Sequence, residues 1–178
     1  MSRPRSDTRE RIQDVARELF AQQGVQRTSL QDIADKLGIT KPALYYHFTS
    51  RDELIRSILV PLIEEGDRFV AGQESRANTG ARELLEGYFD FHYRHRQDLV
   101  LVLAELTMLA ELGLIDNVLA WRDRLGKLVF GPKPTLAQST RAVVAFGGLQ
   151  DCCLQFPDTP YDQLRKTSVQ AALAALGI

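Results

Sequence analysis

The chain is poor in the residues that carry covalent or metal chemistry. Its 178 residues include only two cysteines, three histidines and one tryptophan. The cysteines are neighbours, Cys152 and Cys153. On a helix adjacent side chains diverge by about 100°, so a bridge between them is strained. With no disulfide framework, a reducing cytoplasmic setting is expected and the two thiols read as small buried apolar groups. No apolar run approaches the ~20 residues that a membrane span needs, and the charged start MSRPRSDTRERIQ lacks the apolar core of a secretory signal. Gly-rich phosphate loops, a nucleophile elbow and paired carboxylates facing a catalytic histidine are all missing. No enzyme and no cofactor is therefore expected. His92 and His95 stand i, i+3, but no cluster of acids or cysteines nearby completes a metal site, and HYRHRQ reads as a solvated helix end. No metal is expected.

A strong charge of either sign is missing too. The formal net charge is −1. The first 56 residues hold ten Lys/Arg against eight Asp/Glu, and the remainder twelve against fifteen. An asymmetry this small does not by itself identify a nucleic-acid binder. What the sequence does have is a core-forming composition, 44% hydrophobic and 25% charged, in a chain long enough to fold without staples.

Helical periodicity dominates. Ile12, Val15, Ala16, Leu19 and Phe20 form one apolar stripe over 8–23, closed by Gly24. Ser29 with Asp32 resembles a capping box opening a helix that buries Leu30, Ile33, Ala34 and Leu37 before Gly38. Thr40 caps a second start with Pro42 in its first turn, predicting a helix over 40–48. Ser50 with Glu53 is a further capping box, opening a long helix to about Phe69 in which Pro61 should produce a kink. The stretch 72–80 reads as a loop. Further helices are predicted at about 81–95, 98–112, 115–130, 136–156 and 160–176, separated by Gly113 and by two proline-containing breaks. No strand pattern appears. The expected fold is all-α with about nine helices.

Two short helices joined by Gly38-Ile39 have the geometry of a helix-turn-helix. Leu44 and Phe48 point one face of the second helix inward. That leaves Lys41, Ala43, Tyr45, Tyr46 and His47 on the other, a short, slightly basic face rich in amphipathic aromatics that suits a DNA major groove. A packed three-helix bundle without DNA is the alternative on spacing alone.

The stretch 8–54 closely resembles the N-terminal domain of the TetR (tetracycline-repressor-like) family of transcriptional regulators. The matching pieces are Ala16, Leu19, Phe20 and Gly24; Thr28-Ser29; Ile33-Ala34; Leu37-Gly38-Ile39; and Thr40-Lys41 followed by Leu44-Tyr45-Tyr46-His47-Phe48. The resemblance implies an N-terminal three-helix DNA-binding domain at 1–50 and a helical ligand-binding and dimerisation domain at 51–178. It implies that Lys41, Pro42 and Ala43 face bases, that Tyr45 and His47 meet base methyls or phosphates, and that Tyr46 contacts the backbone. Ser29 and Thr40 match caps that also meet phosphate, and Arg51 stands where the family usually has Lys. Pro42 has no side-chain hydrogen bond with which to read a base. Arg3 and Arg5 could act as a flexible arm or remain a solvated tail.

A homodimer follows from the mechanism, because one two-turn helix reads too few bases. Residues 142–149, AVVAFGGL, are apolar all round. With the stripe Leu164, Val169, Ala172, Leu173 and Leu176, they offer the two-helix face that the family pairs with a partner; the alternative is that both stripes pack within one subunit. The interface candidates are Val143, Gly147, Cys152, Val169, Ala172, Leu173 and Leu176. A small-molecule effector site is expected between the kinked helix and 81–130, lined by Leu62, Phe89, Tyr93, Met108, Trp121, Phe146 and Gln150, with His92 and Glu105 among its polar groups. The functional expectation is a ligand-responsive regulator, a repressor, that binds palindromic double-stranded DNA as a homodimer and leaves it when a mostly apolar effector binds. Pro61 is either its articulation point or a fixed kink. The alternative is a small-molecule-binding or protein-interaction dimer without specific DNA binding.

Overall fold

The structure is a computed structural model that describes residues 5–76, 80–104, 110–111 and 114–178. Arg3, Glu105, Met108 and Gly113 lie outside the described residues. The described elements are helical: α1 (Arg5–Gln23), a 3-10 turn (Val25–Arg27), α2 (Leu30–Leu37), α3 (Lys41–Tyr45), α4 (Arg51–Glu74), α5 (Ala81–Arg94), α6 (Arg96–Ala104), α7 (Leu114–Phe130), α8 (Leu136–Gln155) and α9 (Tyr161–Leu176). No strand occurs among them. The all-α expectation holds.

The chain divides into two compact units. The first comprises the described residues of Met1–Leu62 and Gln97–Met108, the second those of Ile63–Arg96 and Leu109–Ile178. The division cuts α4 one residue after Pro61. The helix itself runs through that proline without interruption.

In the first unit the predicted stripe of α1 is the core face, with Ile12, Ala16, Leu19 and Phe20 buried. Gly24, at φ 89°, ends α1 as expected. The chain then makes a 3-10 turn that the sequence reading did not contain. Its plug is Thr28, a buried threonine whose hydroxyl donates to the Gly24 carbonyl at 2.8 Å. Leu30, Ile33 and Ala34 set α2 against α1 and α3. The first turn of α6 is tied to α1 by Arg17 Nε, which donates to the buried Asp98 Oδ1 at 2.6 Å.

The second unit packs α5, α7, α8 and α9 round one core that includes Val70, Leu85, Phe89, Leu125, Phe146 and Leu173. α9 lies on α8 and α5, and α7 lies on α8. Gly66 is required here by close approach. A Cβ at that position would stand 2.6 Å from Trp121 Cζ2, and the indole Nε1 donates to Asp67 Oδ1 at 2.7 Å. Arg165 fastens α9 to α5 through Asp90 (2.7 Å) and Glu86 (3.2 Å).

Three expectations are corrected. The helix expected at 40–48 stops at Tyr45, and Tyr46–Phe48 close it in a turn in which the His47 and Phe48 amides both donate to the Leu44 carbonyl. The long helix extends past Phe69 to Glu74, shortening the expected loop. The α9 stripe assigned to a partner is in the protomer's own core: Val169, Ala172, Leu173 and Leu176 are all buried against α5 and α8. Their periodicity marks a buried face correctly, but the neighbours that bury it belong to the same chain.

Candidate nucleic-acid interface

The candidate face is built from its caps upward. Ser29 and Asp32 form a complete capping box: the Asp32 amide donates to Ser29 Oγ at 3.2 Å, and the Ser29 amide donates to Asp32 Oδ2 at 2.8 Å. The Ser29 amide, and after it the Ser29 hydroxyl, which also donates to Asp32 Oδ2 at 2.8 Å, hold the Asp32 carboxyl below its ordinary pKa. α2 ends at Gly38, whose φ of 67° is the left-handed conformation that a Cβ disfavours. The reversal lets Thr40 cap α3, with its Oγ1 accepting from the Ala43 amide at 3.4 Å. α3 has five residues, too few to be stable by itself. Leu44 and Phe48, fully buried, fasten it to the core.

The opposite face is left to solvent. Lys41, Pro42 and Ala43 are exposed, Tyr45 is 42% and Tyr46 65% exposed, and His47 is half-buried. Lys41 Nζ lies 5.7 Å from the Tyr45 ring centroid, and the Tyr46 and His47 rings meet edge to face at 5.4 Å. Ser29 and Thr40 are also exposed. The structure therefore leaves eight of the nine proposed DNA-facing residues exposed or half-buried, on α3 with its closing turn and at the caps of α2 and α3. Arg51 is the ninth. It is half-buried, and its guanidinium donates to the Val25 carbonyl at 3.2 Å and to Gln26 Oε1 at 3.3 Å. Its fork braces the 3-10 turn.

The start of α4 differs in detail from the expected box. Glu53 donates its amide to Ser50 Oγ at 3.0 Å, but its carboxylate accepts from the Thr49 amide and hydroxyl at 2.8 and 2.7 Å. These two bonds, from the hydroxyl first, lower the Glu53 pKa. Sequence reading also missed Arg9. One turn before Ile12, it lies in register with the apolar stripe of α1, and a charged residue in a buried register was the available signal. Its Nη1 donates to the His47 carbonyl at 2.7 Å.

The segment 12–58 matches the family described as bacterial regulatory proteins of the tetR family. That segment belongs to the TetR family. The HTH-type transcriptional regulator TtgR of Pseudomonas putida is 39% identical over 69 residues, covering 39% of this chain and 33% of that protein. The HTH-type transcriptional activator FasR of Mycolicibacterium smegmatis is 35% identical over 94 residues, 49% of this chain and 42% of its own. The matched segments thus span about a third to two fifths of these relatives. Among solved structures, AmtR of Mycobacterium smegmatis superposes with a TM-score of 0.76 at 23% identity, covering 99% of this chain and 89% of that one. The TetR-like fold therefore extends over both units, while the sequence likeness is concentrated in the first.

The residues expected to line the effector site are placed less uniformly. Phe89 and Phe146 are fully buried, and Trp121 is buried with its indole N–H bound to Asp67. Phe89 stacks on the half-buried Tyr93 at 5.7 Å. Gln150 Oε1 accepts from Arg122 Nη2 at 2.8 Å. Leu62 falls in the first unit. A cavity of about 130 Å³ in the second unit runs instead between α7 and α8, lined by residues that include Leu119, Arg122, Ser139 and Val143.

His92 corrects the solvated-end reading. It is buried, with Nδ1 donating to the Tyr88 carbonyl at 3.0 Å and its ring 4.1 Å from that of Tyr88. Loss of water pushes its pKa down to about 4, so it is a neutral core imidazole. Cys153 is also buried, and its thiol is pushed up to about 12 by the same cause. Of the interface candidates, Val143 is 53% exposed and Gly147 and Cys152 are half-buried. The neighbouring Val144 is 57% exposed, Leu136 is exposed, and a Cβ on Gly148 would meet open space.

Proposed function

We propose that this TetR-family protein is a ligand-responsive transcriptional regulator, a repressor, that binds palindromic operator DNA as a homodimer. The observation that carries the reading is the division of labour on α3. Leu44 and Phe48 are buried while Lys41, Tyr45 and Tyr46, on the opposite side, face solvent. A short helix and its closing turn, with one buried side and one cationic, aromatic side, suit insertion into a major groove. Lys41 and the tyrosine hydroxyls would meet base edges and phosphates. Residues 1–50 supply the reader and 51–178 the regulatory part.

The outward side of α8 supports the dimer. Leu136, Val143, Val144 and Gly148 form an exposed apolar and small-residue face of the kind that an isologous partner covers. The effector is a small, mostly apolar molecule bound in the second unit, and it acts by preferring a state in which the two reading helices no longer fit one duplex. A differential affinity of about 1–3 kcal/mol is enough for a 5- to 150-fold change in DNA binding. The protein works in the cytoplasm, where its DNA is, and no catalytic role is assigned to it.

The test begins with selection of duplexes from a random library by the purified protein, followed by gel shift on the selected sequence. Saturable, salt-sensitive binding to an inverted repeat that is lost in Tyr45→Ala supports the assignment. A folded dimer that enriches no sequence rejects it.

A further inference from the structure

We infer that Arg9, on α1, is a positioning residue for the DNA-facing helix. It braces the C-terminal end of α3 from behind and makes no DNA contact of its own. The inference rests on the DNA-binding reading above. α3 is only five residues long, and a helix of that length has no stability of its own. Its C-terminal carbonyls need partners. The Pro42 and Leu44 carbonyls receive the amides of Tyr46, His47 and Phe48. The His47 carbonyl receives Arg9 Nη1 at 2.7 Å across 38 residues of sequence. The same guanidinium lies 4.1 Å from the centroid of the Phe48 ring, which is itself fully buried.

Arg9 is therefore gripped in two ways. Its planar cation stacks on a ring that cannot move, and one arm of its fork ends at the backbone of the residue before that ring. A positive charge at the last carbonyls of a helix also complements the helix dipole. Beside the same turn, the Glu53 carboxylate takes the Thr49 amide and hydroxyl and also feels the Arg9 charge. The segment 47–49, which directly follows Tyr45 and Tyr46, is thus held both from α1 and from α4. Removing Arg9 frees this segment without touching the exposed face.

The test uses the full-length protein and the variants Arg9→Met, which keeps the apolar stem, and Arg9→Lys, which keeps one donor and the charge. Amide hydrogen exchange at residues 45–48 is read first, without DNA. Arg9→Met should lose protection there, while the α2 amides keep theirs, and Arg9→Lys should be intermediate. Binding is then measured on the duplex selected by the wild type and on a scrambled duplex. Affinity for the selected duplex should fall about tenfold or more in Arg9→Met, the loss of one charge-assisted hydrogen bond. Scrambled-duplex affinity should change by less than threefold, and the slope of log affinity against log salt should stay within about half a phosphate contact of the wild type's.

A slope lower by about 0.9, with equal losses on both duplexes, would make Arg9 a phosphate ligand and overturn the inference. So would unchanged exchange at 45–48. If the wild type itself selects no sequence, the DNA-binding reading fails, and the exchange experiment still decides whether Arg9 is the brace. If Arg9→Met does not fold, Arg9→Lys decides in its place: intermediate exchange at 45–48 supports the brace, and wild-type exchange overturns it.

Discussion

Leu44 and Tyr45 are adjacent in sequence and should separate stability from binding. Leu44 is fully buried, whereas Tyr45 is 42% exposed. Leu44→Ala removes buried methylene groups and leaves a void beneath α3. Such truncations cost about 2–5 kcal/mol. For a chain of this size about 1 kcal/mol corresponds to roughly 2–4 °C, so Tm should fall by roughly 4–20 °C. Tyr45→Ala removes a ring whose only described partner is Lys41, at 5.7 Å. Alanine also has the higher helix propensity. Its effect on stability should stay within about 0.5 kcal/mol, as for other surface positions. DNA affinity should move the other way round. Tyr45→Ala should bind the selected duplex at least about tenfold more weakly, the loss expected from roughly 1–3 kcal/mol of contact energy. Differential scanning fluorimetry and fluorescence anisotropy on the same preparations measure both quantities. A Tyr45→Ala variant as destabilised as Leu44→Ala would refute the assignment of faces. So would a stable Tyr45→Ala protein with wild-type affinity and salt dependence.

His92 should make the protein sensitive to mild acid. Its folded pKa of about 4 lies below its ordinary 6.5, so the unfolded chain binds the extra proton between those values and stability falls as pH drops through that window. The shift corresponds to about 3 kcal/mol across the window. Urea denaturation at pH 7 and pH 4.5 should show a larger loss in the wild type than in His92→Gln, and parallel losses would remove His92 as the cause. Gly66→Ala should destabilise the second unit by about 1–3 kcal/mol, because the new methyl collides with the Trp121 indole. Trp121 fluorescence should shift in the folded state, and an unperturbed melt with an unchanged spectrum would contradict the close approach.

Much of the first unit could be read from the sequence because its signals are local. Ser29, Gly38, Thr40 and Pro42 act within three or four residues of themselves, and each does in the structure what its chemistry requires. What was missed there is long-range. Arg9 meets His47, Arg51 meets Val25, and Arg17 meets Asp98 across 81 residues, and no periodicity encodes such pairings. The premature end of α3 has the same origin. The apolar pair Leu44 and Phe48 is compatible with a continuous helix. In the structure Phe48 reaches the core from a turn instead, with the Arg9 guanidinium against its ring.

The second unit shows the limit of periodicity more sharply. Val169, Ala172, Leu173 and Leu176 recur at helical spacing, which states that one side of α9 is buried. It does not state whether the burying surface belongs to the same chain or to another. On α8, apolar residues occur on every side, so one side covers the core through Ala142, Ala145, Phe146 and Leu149 and the other, through Val143 and Val144, is left over. That surplus is the informative feature. An amphipathic helix satisfies its own subunit and asks for nothing more, whereas a helix apolar on both sides leaves a face that its own subunit does not cover. By this reasoning the interface of the proposed homodimer should centre on Val143, Val144, Gly147 and Gly148, and the α9 stripe should contribute only by holding α8 in place. The polar substitution Val144→Lys should then shift the protein towards monomer in sedimentation velocity while leaving its helical content unchanged, and a persistent dimer would place the interface elsewhere.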